Sequence, residues 1–282
     1  MASKFWVGGT GTWDNSTTTH WATSTGGAGG AAVPTTGDSV TFDGASGGGV
    51  VSVAASVSGL SLINLTMGAF TGTLDFSVGN PNLTITAQFS ISGAGTRTLH
   101  LGSGTFTLNP TGGNNTPWFA ATTTGLTFDA GTSTFALVSS QASVSNHTFA
   151  GGGLSYQNLT FSVSGAPQVP FNVTGTNTFN NIAVTGPAMI QWPPGTTTIT
   201  TAYTLTGTAA APIIFMPNNT NGAVPTLSTA SGTVSISFGV LQGITFGGGA
   251  AFTAPNSFDA GGNSGITITA PSGGGGGVII GG

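Results

Sequence analysis

The chain has 282 residues; 49 are glycine, 38% are hydrophobic and only 3% are charged. A sequence this apolar, with a net charge of −4, lies outside the disordered class, and glycines scattered irregularly beside 14 prolines exclude collagen. With no glutamate and only Lys4 and Arg97 as cations, the chain supports neither long solvent-facing helices nor the basic footprint that a nucleic-acid backbone requires.

Residues 1–43 come first and hold three of the five tryptophans, in the order Trp6, Trp13, Asp14, His20, Trp21, Pro34, Asp38, Phe42 and Asp43. Aromatic burial of that density predicts a cap or anchoring module that plugs the open end of a larger structure. Its expected fixed points are Trp6, Trp13, Trp21, Asp38 and Phe42. The run Met1–Val7 meets Gly8-Gly9 without a signal-peptide core. No apolar run reaches the roughly 18 to 20 residues of a membrane helix. The expectation is a chain made in the cytoplasm, with no membrane span. Cysteine is absent, so burial and backbone hydrogen bonds must hold the fold.

Residues 44–270 are read as short strands. Apolar residues alternate with Thr, Ser or Asn in Val50–Val53, Asn82–Thr86, Thr105–Leu108, Leu126–Phe128, Thr134–Leu137, Thr233–Phe238 and Gly265–Thr269. Alternation buries one face of a pleated strand and wets the other, and Gly, Asn and Pro punctuate the runs. Asn-Leu-Thr recurs at Asn64, Asn82 and Asn158, the first two 18 residues apart, and Asn181-Ile182-Ala183-Val184 has a related form. Such recurrence predicts stacked coils of roughly 20 to 25 residues, with glycine and asparagine at the corners. The expected fold is all-β, a right-handed parallel β-solenoid about 50 Å long. An antiparallel β-sandwich or jelly roll uses the same residues, and periodicity alone does not separate the two. The scarcity of two-residue hairpin turns favours the solenoid.

Residues 271–282 form a tail. Pro271-Ser272 and five glycines lead to Val278-Ile279-Ile280, a tether with a short run suited to docking as an added strand on a neighbouring subunit.

The opening Phe5–Asp14, followed by His20-Trp21 and Val33–Asp43, resembles the start of Gly/Thr-rich β-helical surface proteins of tailed bacteriophages. Asn177–Ile182, Pro194–Thr198, Ser231–Ser235 and Asn256–Gly265 are similar to modules of the same group, and autotransporter passengers begin in a related way. An autotransporter adds a signal peptide and a C-terminal membrane barrel, which favours the phage branch. The resemblance implies a structural virion surface protein made in the host cytoplasm, a fibre or spike serving host adsorption. Its implied partners are other virion proteins, further copies of itself as a trimer, and a host surface glycan. A head decoration protein and a glycan-cleaving tailspike are the alternatives.

The chemistry-bearing residues point to a non-enzyme without cofactor or metal. The acids are Asp14, Asp38, Asp43, Asp75, Asp129 and Asp259, each near a turn sequence. Asp75 with Asp129 is the one pair worth testing as glycosidase carboxylates. His20, His100 and His147 stand apart in sequence and are expected to be hydrogen-bonded structural residues. Asp259–Asn263 is a fragment of a calcium-binding β-roll turn and is read as a plain turn. The sequons at Asn64 and Asn158 are read as corner asparagines. Trp118, Trp192, Tyr156 and Tyr203 lie outside the cap. Prolines beside both tryptophans suggest loops, where exposed rings stack on the sugars of a host glycan, although packing against a neighbouring subunit or over the end of a coil is the more common outcome for such rings.

Overall fold

The computed structural model describes residues 1–111, 115–139, 146–163, 170–218 and 222–272. Alternation sets the local structure. In Thr134–Ser139 the residues Phe135, Leu137 and Ser139 turn inward while Thr134, Ala136 and Val138 turn outward. A strand of this kind leaves its backbone groups to be satisfied by neighbouring strands, and here the neighbour is the strand one circuit earlier.

The strands stack in parallel. One inward row runs Phe106, Phe135, Leu159, Ile182, Tyr203. A second runs Leu65, Phe89, Trp118, Phe149, Val173. A third runs Val51, Leu74, Leu99, Phe128. The three rows converge on one core. The Trp118 ring lies 4.8 Å from Phe89, 4.4 Å from Phe135 and 6.4 Å from Phe128, centroid to centroid. Each large side chain buried in this way contributes about 1.5–3 kcal/mol over leaving it exposed.

This architecture is a parallel β-solenoid, the fold expected from the sequence, and not the antiparallel sandwich. Antiparallel pairing among the described residues is confined to Trp21–Ala22 on Ser3–Trp6 and an isolated bridge from Thr208 to Ala211. One ladder climbs from Ser3–Trp6 through Ser39–Phe42, Ser61–Met67, Leu83–Ile91, Thr105–Leu108, Thr134–Ser139, Ser155–Val163, Thr178–Thr185, Gly195–Thr206 and Pro225–Ser228 to Thr245–Gly247. At one strand spacing per step the column is roughly 50 Å tall.

Circuit length varies. Leu159 to Ile182 is 23 residues, Leu99 to Phe128 is 29, and Phe252 to Ile266 is 14. The 18-residue interval between Asn64 and Asn82 is therefore not a circuit. Asn64 registers with Gln88, beyond a register shift in its strand, while Asn82 uses its side-chain oxygen to accept the Thr105 N–H at 2.8 Å. Asn158 and Asn181 do stack, and the Asn181 amide donates to Asn158 Oδ1 at 2.8 Å. Where circuits press closest only glycine fits. Gly265 has φ +72°, and a Cβ there would lie 1.9 Å from the Phe246 carbonyl oxygen.

Residues 1–43 enter the column as its first turn. Ser39–Phe42 lies between Ser3–Trp6 and Ser61–Met67, parallel to both, and Trp21–Ala22 covers the outer edge of Ser3–Trp6. Trp6, Trp13, Trp21 and Phe42 are all fully buried, with Trp6 and Trp21 edge to face at 5.2 Å. Asp38 fastens the chain start, accepting the Ala2 N–H at 2.7 Å and the Thr35 N–H and hydroxyl. Of the tail, only Pro271 and Ser272 fall among the described residues; Val278–Ile280 lies outside them.

Candidate functional site on the third face

The third face is built by Gly11–Trp13, Val50–Val53, Thr73–Asp75, Arg97–His100 and Leu126–Asp129. Because Val51, Leu74, Leu99 and Phe128 point inward, their successors point outward and fall into register as Ser52, Asp75, His100 and Asp129. The two aspartates that the sequence singles out are thus brought into one row, with His100 between them. His100 Nδ1 lies 3.2 Å from Asp129 Oδ2. The side chains are 35% and 60% exposed.

Each carboxylate already serves its own turn. Asp75 Oδ1 accepts the Ser77 N–H at 2.8 Å and the Ser77 hydroxyl at 2.6 Å. Asp129 Oδ1 accepts the Gly131 N–H at 2.9 Å. That N–H, and after it the hydrogen bond with His100, holds the Asp129 carboxyl below its usual range. Asp75 and Asp129 stand two strands apart, about 9.5 Å along the backbone lattice, near the upper limit for an inverting glycosidase pair. His100 stands between them in the register, bonded to Asp129.

The remaining acids are turn acceptors as well. Asp14 takes the N–H groups of Ser16 and Thr17, Asp43 that of Ala45, and Asp259 those of Gly261 and the Asn263 amide. Among the described residues no three His or Asp side chains come close enough together to hold a metal ion. Both cations are withdrawn from the surface. Lys4 is 8% exposed, and Arg97, at 1%, donates to the carbonyls of Gly95 (2.8 Å), Thr124 (3.1 Å) and Thr122.

The aromatic candidates sit elsewhere. Trp118 and Trp192 are fully buried and Tyr156 nearly so, so these rings present no face to a sugar; the candidate glycan contact is corrected for all three, which take the packed alternative inside the column. Pro117 lies inside the strand Asn115–Ala120, where the register shifts between Asn115 and Trp118, and a bulge accommodates a proline without moving the next ring outward. Trp192 ends its strand with the ring turned in, 5.6 Å from Phe215. Tyr203 is half-buried, and its oxygen accepts the Thr229 hydroxyl at 3.1 Å.

The histidines differ among themselves. His20 stacks on Trp6 at 4.7 Å and bonds the Val7 carbonyl at 3.0 Å, as a structural histidine should. His147 departs from that expectation, being fully buried with neither ring nitrogen partnered among the described residues. Sequence reading missed the place of His100 between Asp75 and Asp129. The signal was available: the intervals of 25 and 29 residues are circuit lengths of this column. No family model, curated protein or solved structure matches the chain.

Proposed function

We propose that the protein is a non-catalytic structural shaft on the surface of a tailed-phage particle, a fibre or spike component that serves host adsorption. The observation that carries the mechanical half is the continuous parallel ladder from Ser3–Trp6 to Thr245–Gly247. Interior strands of such a stack are hydrogen-bonded on both sides, so stiffness comes from backbone alone and needs no charged surface. The phage setting rests on the resemblance of Phe5–Asp14, Val33–Asp43 and the later modules. With its cations buried, the shaft offers neutral and acidic groups outward, which suits close packing beside further copies and contact with an uncharged host glycan.

Antibody labelling of intact particles by electron microscopy tests the setting. Label on tail fibres or spikes is expected; label on the head would replace this reading with capsid decoration, and unlabelled particles would remove it. Sedimentation of the isolated chain tests the trimer. Incubation with host polysaccharide is expected to release no reducing sugar. Release that Asp75→Asn or Asp129→Asn abolishes would make the third-face row a catalytic site.

A further inference from the structure

We propose that His147 makes the middle of the column an acid-responsive section, which opens locally on mild acidification while the N-terminal turns stay closed. Between Asp129 and Asp259 the sequence contains no Asp, Glu, Lys or Arg, and His147 is its one histidine. Any change of charge near neutral pH in that half of the chain must occur at this ring.

The ring is placed where a charge is least tolerated. It points inward from His147–Ala150, fully buried, and among the described residues neither Nδ1 nor Nε2 has a hydrogen-bond partner. Its backbone registers with Phe171, whose ring is 6.2 Å away. The adjoining strands Asn115–Ala120 and Pro170–Thr174 carry no titratable side chain, and Ser155–Val163 supplies only Tyr156, a buried phenol. Among the described residues no carboxylate is there to receive an imidazolium. A neutral imidazole survives in such a place at modest cost, but the charged ring does not.

The sign follows from linkage. Desolvation lowers the pKa of buried His147, so the opened state binds the proton more readily than the closed one. Closure is at full strength above the free histidine pKa of about 6.5 and weakens as the pH falls below it, by at most about tenfold per pH unit for one proton. The other histidines are placed differently. His100 is 35% exposed with its Nδ1 3.2 Å from Asp129 Oδ2, and His20 stacks on Trp6 and bonds the Val7 carbonyl. The fully buried histidine without a hydrogen-bond partner among the described residues thus lies in the middle of the column and not in its N-terminal turns, and this holds whether or not the protein is a phage shaft.

Hydrogen exchange of the full chain between about pH 7.5 and about pH 5.5, read as protection factors, tests the proposal. Protection in His147–Ala150 and Pro170–Thr174 is expected to fall by up to about tenfold per pH unit below about 6.5, with Arg97–His100 and Leu126–Asp129 unchanged. In His147→Phe, which suits an aromatic core, and in His147→Gln, which keeps a polar group that cannot ionise, the fall is expected to vanish. Protection that ignores pH, a loss equal in the N-terminal turns, or a pH response surviving in both variants would each overturn the assignment.

Discussion

Trp118 donates its indole N–H to the Tyr156 hydroxyl at 2.8 Å, and that hydroxyl donates in turn to the Gly151 carbonyl at 2.7 Å. The chain of bonds crosses from one inward row to the strand beside another, so two residues that could have served as surface contacts instead lock three segments of the core. A single oxygen both accepts and donates. Tyr156→Phe removes it and strands a buried donor and a buried acceptor, each costing about 1–3 kcal/mol. The expected outcome is a clear drop in the urea midpoint with an unchanged slope, checked by equilibrium unfolding. Binding to host cells, where it occurs, should survive in the fraction that remains folded.

Alkaline pH should weaken the column through its two tyrosines. Burial pushes Tyr203 up to about 12, against a Thr229 hydrogen bond that acts the other way, and burial raises Tyr156 as well. A phenol whose folded pKa is raised contributes full stability below its unfolded pKa of about 10, and that contribution is lost as the pH climbs through the folded value. Phenolate absorbance should therefore appear together with loss of structure rather than before it. Titration of both tyrosines near pH 10 in a folded chain would contradict this.

Asp38 should tie acid sensitivity to the first turn of the column. Burial acts to raise its pKa, but the Thr35 and Ala2 N–H groups, the Thr35 hydroxyl and the Lys4 charge outweigh it, and the net shift is downward. A lowered carboxyl contributes stability that is present above its unfolded pKa of about 3.9 and is lost as the pH falls through the folded one. Asp38→Ala is expected to cost about 1–3 kcal/mol at neutral pH by leaving those donors unpaired. The loss should shrink toward pH 3. Thermal melts across that range check both the size and its disappearance.

The fold was legible because alternation in segments such as Thr134–Leu137 reports directly which side chains turn inward. Stacking was legible from recurrence, although the Asn64 to Asn82 interval gave a misleading period. Those two asparagines do different jobs, one beyond a register shift inside a strand and one bonding the next circuit's Thr105. The surface was less legible. Proline beside tryptophan suggested loops, and a bulge at Pro117 and an inward strand end at Trp192 answered that signal differently. The row of Asp75, His100 and Asp129 could be found only once circuit length was known, since residues 25 and 29 apart look unrelated until the coils are laid on one another.

Arg97 supplies the sharpest test of how successive circuits are held at a corner. Its guanidinium is buried with no carboxylate partner among the described residues and spends its terminal N–H groups on the carbonyls of Gly95, Thr122 and Thr124, so one side chain binds its own circuit to the one above. Lysine has the charge but not the planar fork that reaches several acceptors at once. Arg97→Met keeps an apolar stem and leaves the carbonyls unpaired, at about 3 kcal/mol or more in total. Arg97→Lys is expected to recover only part of that, because the ammonium remains buried with fewer bonds. The check is a pair of urea titrations together with hydrogen exchange across Arg97–His100 and Leu126–Asp129. Equal stability in wild type and Arg97→Met would mean that these contacts merely accommodate a cation the column has no other place to put.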